Sequence, residues 1–340
     1  MRYGTRFCFL VVFALVLMSV PLAAEAGSDS YTLVEIGEGY ANAINDRGQV
    51  VGSIFSSSPE YQHAFVWDRK EGITNLHLAL GWDPEWRSGA DDINNRGQIV
   101  VGGRIGGMGP NLSVLIEPDR RSGGFAVTDL PEFPMGINNS GVVVGGEFGA
   151  YQWDKHDGYQ PILNVANGID INNRGQIVGW SSAYWDPSLP SPSAAHFVIL
   201  EKDGHLTDIA AFEMAPGPPS VAPMLGGIND RGQVVYWVGI YPPGEIISYR
   251  WDPVKGVTAF EGVSLEAINN VGTMVGRMFG SFDPPMGTAP VVVDRKGDIT
   301  VLPMPDGYTH GWATDINNAG VITGVLFGPG SRSMAVVWTR

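Results

Sequence analysis

The chain has 340 residues, of which 44% are hydrophobic and only 16% are charged, and its formal net charge is −14. This hydrophobic content is sufficient for a large core, while an acidic chain repels phosphate backbones and anionic membranes. We therefore expect no nucleic-acid partner. Glycine (46 residues) and proline (24 residues) are abundant. Many turn-forming residues together with few charges favour an all-β fold.

The first 26 residues predict a secretory signal peptide. Arg2 and Arg6 precede an apolar run at Phe7–Val20. Ala24-Glu25-Ala26 then provides the small residues that a signal peptidase cleavage site requires. The single cysteine, Cys8, lies inside this segment, so residues 27–340 would contain no disulfide and no thiolate metal site. We expect a secreted, extracellular or periplasmic monomer that has no membrane contact after cleavage.

The first predicted element after the signal is a strand at Tyr31–Ile36. A unit of four predicted strands follows, at Ala41–Asn45, Gln49–Phe55, His63–Asp68 and Ile73–Leu76. Seven such units are marked by one phrase, which reads Ile, Asn, then Asn or Asp, any residue, and Gly. Successive copies of the phrase are 34 to 57 residues apart.

The phrase predicts a tight turn between the first two strands of each unit. An asparagine side chain can bond backbone groups two residues on, and glycine accepts a positive φ without steric cost. The predicted turn residues are the first Asn and the Gly of every copy: Asn45 and Gly48, Asn94 and Gly97, Asn138 and Gly141, Asn172 and Gly175, Asn229 and Gly232, Asn269 and Gly272, and Asn317 and Gly320. A further glycine follows the second strand's apolar pair in five copies, and we expect it to allow close backbone approach between neighbouring units.

Seven units of four short strands predict a seven-bladed β-propeller, formed by residues 27–340 as a single domain. The chain stops after the third strand of the seventh unit, at Met334–Trp338, so one fourth strand is missing. The solitary strand Tyr31–Ile36 is predicted to complete that last blade, which would close the ring and cover two strand edges.

Insertions of variable length are predicted at His77–Gly89, Ala183–Ala194, Glu213–Met224 and Phe282–Gly287. Loops on a rigid scaffold commonly carry function. Six tryptophans fall in or near predicted connections: Trp82, Trp86, Trp180, Trp185, Trp237 and Trp312. These residues would either stack on sugar rings or fill space between blades. We favour the second interpretation, because large aromatic side chains are more often buried than displayed.

Three acidic residues, Asp92, Asp170 and Asp315, directly precede the phrase, where the other copies have Ala or Gly. First strands line the channel of a propeller, so these are the candidates for acid–base chemistry on a glycan. Solvated channel carboxylates explain the pattern better, since only some blades carry them. A calcium loop starting at Asp92 would lack two ligands, because Arg96 and Gly103 occupy their positions. We expect neither a metal ion nor a cofactor.

The phrase and the following His63-Ala64-Phe65-Val66-Trp67-Asp68 resemble the extracellular HAF-repeat family of bacterial proteins. His63-Ala64-Phe65 matches the triplet that gives the family its name, and His196-Phe197 matches it in part. The resemblance covers residues 31–340. It implies export and a repeated β structure, and it brings no established activity or catalytic residues.

Two functional hypotheses follow from these features. The first is a secreted, non-enzymatic propeller that binds an unknown glycan or protein, since the regular units carry no chemical motif. The second is a polysaccharide hydrolase or lyase that uses the channel carboxylates. We favour the first; a structural envelope component without a soluble ligand is a third possibility.

Overall fold

The structure is a computed structural model that describes residues 31–56, 61–104, 111–131, 133–146, 149–163, 165–181, 194–213, 220–241, 244–280 and 287–340. The predicted signal peptide and Trp185 lie outside these residues, as do parts of the predicted insertions at 183–194, 213–224 and 282–287.

The described chain forms seven antiparallel blades of four strands each. The strands of blades 1 to 3 are β1 (Thr32–Ile44), β2 (Val50–Phe55), β3 (Gln62–Asp68) and β4 (Gly72–Asn75); β5 (Arg87–Ile93), β6 (Ile99–Arg104), β7 (Asn111–Asp119) and β8 (Gly124–Asp129); and β9 (Pro134–Ile137), β10 (Val143–Gly145), β11 (Tyr151–Asp154) and β12 (Gly158–Pro161). Those of blades 4 and 5 are β13 (Asn167–Ile171), β14 (Ile177–Ser181), β15 (Ala194–Leu200) and β16 (Leu206–Glu213); and β17 (Ser220–Ile228), β18 (Val234–Tyr241), β19 (Glu245–Asp252) and β20 (Gly256–Glu261). Those of blades 6 and 7 are β21 (Val263–Ile268), β22 (Met274–Phe279), β23 (Thr288–Val293) and β24 (Ile299–Val301); and β25 (His310–Ile316), β26 (Ile322–Phe327) and β27 (Ser333–Thr339).

This architecture confirms the predicted all-β propeller, and its blades match the seven repeats one to one. The second strands are the best buried, because adjacent branched residues such as Val50 and Val51 point to opposite faces and are both fully buried. A one-turn helix, α1 (Leu76–Ala79), follows β4.

Strand β1 belongs to two blades. Its first half pairs with β27 of blade 7, with Thr32 opposite Thr339, and its second half pairs with β2 of blade 1. The prediction of two separate strands, Tyr31–Ile36 and Ala41–Asn45, was wrong. The glycines between them carry the strand from one blade to the next: Gly39 has a φ of +152°, and a Cβ there would lie 2.1 Å from the carbonyl oxygen of Ser53.

The connections between strands divide between two faces of the propeller. Because consecutive strands are antiparallel, every turn from a first to a second strand or from a third to a fourth lies on one face, which we call the belt face. Every connection from a second to a third strand, or from one blade to the next, leaves from the opposite face, which we call the loop face. The predicted insertions border connections of the second kind, but the ends of two of them were wrongly predicted, because Arg87–Gly89 belongs to β5 and Ser220–Met224 to β17.

The glycine after the apolar pair of the second strand acts within its own blade. A Cβ on Gly52 would lie 2.0 Å from the carbonyl oxygen of Tyr40 in the first strand, and Gly276 would meet Ser264 at 1.9 Å in the same way. The prediction of close approach between neighbouring units was therefore wrong. The backbone carbonyl of the first strand lies directly against this glycine, which leaves no room for a side chain.

The repeat phrase joins each blade to the next. The side-chain Nδ2 of Asn45 donates to the backbone carbonyl of Asn94, and the side-chain Nδ2 of Asn94 donates to the backbone carbonyl of Asn138. The same bond recurs around the axis at 2.8 to 3.2 Å until Asn317 donates to Asn45. We call these seven first asparagines the Asn belt; it is a closed ring of side-chain-to-backbone hydrogen bonds.

A second ring runs beside the belt. The backbone N–H of Asp46 donates to the side-chain oxygen of Asn95, the residue at the same position in the next blade, at 2.8 Å. This bond also repeats around the axis, at 2.7 to 2.9 Å, and returns from Asn318 to Asp46. The two rings fix the relative position of all seven blades at the belt face.

Each belt asparagine also holds its own turn. The Oδ1 of Asn172 accepts from the backbone N–H groups of Arg174 and Gln176, both at 3.0 Å. The seven turn glycines have φ values between 75° and 90°. One asparagine side chain therefore closes its own turn and ties its blade to the next.

Replacing one belt asparagine should destabilise the whole propeller. In Asn172→Ala, the bonds to the Asn229 carbonyl (2.9 Å) and to Gln176 Oε1 (2.7 Å) are lost together with both turn bonds. Because buried backbone groups would lose their partners, we expect the free energy of unfolding to fall by about 3 kcal/mol. Urea denaturation measures this. The control is Ser140→Ala at an exposed turn position; equal stability of the two variants would contradict the belt's role.

Candidate functional site: the axial cavity

Two cavities lie on the propeller axis. One, of about 170 Å³, lies at the belt face among the residues of the two hydrogen-bonded rings. The other, of about 510 Å³, is lined by first-strand residues that precede the repeat phrase, and so lies toward the loop face. We call the second one the axial cavity.

A ring of irregular residues surrounds the axial cavity. Every first strand has a β-bulge just before its phrase, which takes one residue out of the strand ladder and redirects its side chain. We call these residues the bulge ring: Asn42, Asp91, Met135, Ile169, Gly226, Glu266 and Thr314. All seven line the cavity. No two are of the same type, whereas the belt position is asparagine in all seven blades.

The bulge ring gives the cavity wall two different sides. The polar arc comes from the consecutive blades 6, 7, 1 and 2 and consists of Glu266, Thr314, Asn42 and Asp91. The apolar arc comes from blades 3, 4 and 5 and consists of Met135, Ile169 and Gly226, extended by Met224 and Leu225. The cavity is therefore amphipathic.

The three predicted candidates, Asp92, Asp170 and Asp315, also line the axial cavity. One oxygen of each carboxylate accepts the isoleucine N–H of its own blade at 2.7 Å. The other oxygen accepts the isoleucine N–H of the following blade at 2.8 or 2.9 Å. These carboxylates thus bridge blades 2 and 3, 4 and 5, and 7 and 1, a role that the sequence did not reveal.

The carboxyl groups of the cavity hold protons at unusually high pH. Burial, together with the charge of Asp170, raises the pKa of Asp92 to about 8, against the opposing effect of its backbone N–H bonds. Burial also raises the pKa of Asp91 to about 7 and that of Asp315 to about 6, and it lifts the pKa of Asp170 above its usual range. All four side chains are half-buried and border the cavity.

Glu266 of the polar arc interacts electrostatically with Arg277, which also lines the cavity. The guanidinium of Arg277 lies 5.1 Å from the ring centre of Trp312, and its Nε donates to Ser264 Oγ at 3.1 Å. Burial raises the pKa of Glu266, although Arg277, Ser264 and Trp237 counteract the shift. The indole N–H of Trp237 is shielded from solvent and lies beside the carboxyl of Glu266, but it forms no hydrogen bond of good geometry within the described chain.

Four of the six tryptophans predicted in or near connections fall into two groups, while Trp86 is half-buried in the connection before β5. Trp82 packs on the core between blades 1 and 2, and Trp180 packs edge-on against Phe197 with ring centres 4.5 Å apart. Trp237 and Trp312 line the axial cavity. The prediction that these two lie in or near connections was wrong, because β18 and β25 extend further toward the loop face than the repeat phrase indicates.

The described residues offer neither a cluster of metal ligands nor a membrane-spanning helix. No three His, Cys, Asp or Glu side chains among them come close enough together to hold a metal ion. No helix in the same residues is long and apolar enough to cross a membrane.

Comparison with known proteins shows similarity of fold alone. No protein-family model matches the chain, and no curated protein matches its sequence. Among solved structures, a streptogramin B lyase is similar, with a TM-score of 0.51 and 9% identity over 91% of this chain and 98% of the lyase. A puromycin hydrolase has a TM-score of 0.52 and 11% identity over 91% of this chain and 54% of the hydrolase, so this chain spans about half its length.

The raised pKa values predict that alkaline pH destabilises the protein. A carboxyl whose pKa is higher in the folded than in the unfolded state stabilises the fold below its unfolded pKa, and this contribution is lost as the pH rises through the folded value. Stability should therefore fall between about pH 4 and pH 8, and Asp92 should titrate after Asp91 and Asp315. We expect Asp92→Ala, which copies Ala43 and Ala267 of blades 1 and 6, to lower the melting temperature at pH 6 yet flatten its decline toward pH 9.

Calorimetry across this pH range checks the prediction. The control is Asp129→Ala, which removes an exposed carboxylate from β8 and should keep the slope of the wild type. An unchanged slope in Asp92→Ala would contradict the assignment.

Proposed function

We propose that the protein is an exported, non-enzymatic binding propeller whose ligand, a glycan or a protein segment, enters the axial cavity from the loop face. The N-terminal pattern of Arg2, Arg6 and the apolar run supports export. We also propose that the chain acts as a monomer and does not bind nucleic acid, because the cavity and the chain as a whole are acidic.

The contrast between the two faces carries this proposal. The belt face repeats one turn seven times, which suits a structural role. The loop face carries every insertion, and the cavity beneath it is lined by seven different bulge-ring residues. Variation on a fixed scaffold is typical of a recognition surface.

The hydrogen bonds of Asp92, Asp170 and Asp315 support binding rather than catalysis. Both oxygens of each carboxylate accept backbone N–H groups of two blades. A catalytic carboxyl needs an oxygen available to its substrate.

A polysaccharide hydrolase or lyase is the second candidate. One observation favours it: the pKa of Asp92 is raised to about 8, and a raised pKa is characteristic of a general acid in glycoside cleavage.

A panel of polysaccharides and peptides tests the proposal. Residues 27–340 should bind a member of the panel without releasing reducing ends or unsaturated products. We expect Met224→Arg, which blocks the axial cavity at a side chain that is 49% exposed, to weaken binding at least tenfold. The matched control is Val271→Arg, at an exposed turn residue of the belt face, which should bind as the wild type does.

Two outcomes would overturn the proposal. Turnover that disappears in Asp170→Asn would establish the enzyme instead. Binding that Val271→Arg abolishes and Met224→Arg leaves intact would place the site on the belt face.

A further inference from the structure

We propose that the axial cavity selects an organic ammonium compound that also carries a neutral oxygen acceptor and an apolar chain. The ammonium group would lie along the polar arc and the apolar chain along the apolar arc. This inference rests on the proposed function and adds the chemistry of the ligand to it.

The charge of the cavity favours a cation. Five carboxyl groups line it, from Asp91, Asp92, Asp170, Glu266 and Asp315, against the guanidinium of Arg277. A concave wall of one sign focuses the electrostatic field and concentrates ligands of the opposite sign. Asp92, Asp170 and Asp315 already bond the backbone of two blades. The carboxyls that do not bridge blades are those of Asp91 and Glu266, and Glu266 also lies beside Arg277 and accepts from Ser264 Oγ at 3.3 Å.

The spacing of these groups favours an extended cation over a metal ion. Calcium and similar ions need several oxygen ligands converging on one point. Within the described residues no three carboxyl or histidine side chains converge in this way. An ammonium group requires only one or two acceptors, and the rest of an organic molecule can span the width of the cavity.

The walls of the cavity match the remainder of such a ligand. Met135 and Met224 are 40% and 49% exposed although they lie at the cavity, and flexible thioether side chains adapt well to apolar ligands. The ring of Trp312 is already covered by the guanidinium of Arg277, so the ammonium group is expected at the carboxyls of the polar arc.

The indole N–H of Trp237 provides an independent sign of a ligand. This donor is shielded from solvent and lowers the pKa of the neighbouring Glu266, yet it forms no hydrogen bond of good geometry in the described chain. A buried donor without an acceptor costs stability. An oxygen carried next to the ammonium group, as in an amino alcohol, would satisfy Trp237 while the ammonium group contacts Glu266.

Three small probes separate the contribution of the ammonium group to binding from that of the apolar chain. The full probe is 2-aminohexan-1-ol; hexan-1-ol lacks the ammonium group, and 2-aminoethanol lacks the apolar chain. Titration calorimetry at pH 8 and low salt should show the full probe binding at least tenfold more tightly than either partial probe. Its affinity should fall with added salt. It should rise from pH 6 to pH 8, because ionised carboxylates bind the cation.

Variants test the position of the ligand. Glu266→Gln should lower the affinity for the full probe at least tenfold and leave the affinity for hexan-1-ol unchanged. If this variant folds poorly, Asp91→Asn provides a second test. The matched control, Asp129→Asn on the exposed face of β8, removes the same charge outside the cavity and should change the affinity less than twofold.

The inference is overturned if hexan-1-ol binds as tightly as the full probe, or if Glu266→Gln and Asp129→Asn have equal effects. Failure here is distinguishable from failure of the proposed function. If a panel member still binds and Met224→Arg still blocks it, the cavity is a binding site for a different chemical class.

Discussion

The Asn belt is the interaction on which the rest of the structure depends. Each belt side chain donates through Nδ2 to the next blade and accepts through Oδ1 from its own turn. Asparagine supplies both functions within one short side chain, and aspartate cannot donate, which explains why this position is Asn in every copy. The residue after each belt asparagine needs only a side-chain oxygen that accepts a backbone N–H in the second ring, so Asp46 can take the place of Asn there. Partial burial alone would raise the pKa of Asp46, but bonds from Asn318 and Asn95 outweigh it and keep the pKa below its usual range.

Fixing the blades at the belt face frees the inner strands to differ at the other end. A bulge residue lies outside the regular strand ladder, so its side chain can change without breaking a pairing bond. This accounts for a bulge ring that tolerates Gly226, Ile169 and Glu266 at equivalent positions. Some bulge-ring residues also stabilise the fold: the side-chain Nδ2 of Asn42 donates to the backbone carbonyl of Ala90 in the next blade at 2.9 Å. The same repeat thus combines a symmetric framework with an asymmetric cavity.

The parts of the fold that depend on neighbours in sequence could be predicted. A glycine three residues after an asparagine indicates its turn locally, and the spacing of seven copies indicates the propeller. The belt could not be predicted in the same way, because six of the seven Nδ2 groups find their acceptor 34 to 57 residues away in the next copy, and that of Asn317 finds it 272 residues away in the first copy. The cavity residues Asp91 and Glu266 were missed although a signal was present. The position two residues before the isoleucine differs in all seven copies, and only a bulge explains why so variable a position faces the axis.

An odd number of blades makes some asymmetry unavoidable. Each of Asp92, Asp170 and Asp315 bridges two adjacent blades, and pairing of this kind must leave one of seven blades over. In the described chain that blade is blade 6, which has Ala267 at the bridging position. Its first strand carries Glu266, which interacts with Arg277 of β22 instead of bridging to blade 7. Blade 6 stays in the Asn belt through Asn269, but it takes no part in a carboxylate bridge, and it is the blade that brings a charged pair to the cavity. The odd number of blades therefore leaves one blade whose first strand can differ at the cavity wall.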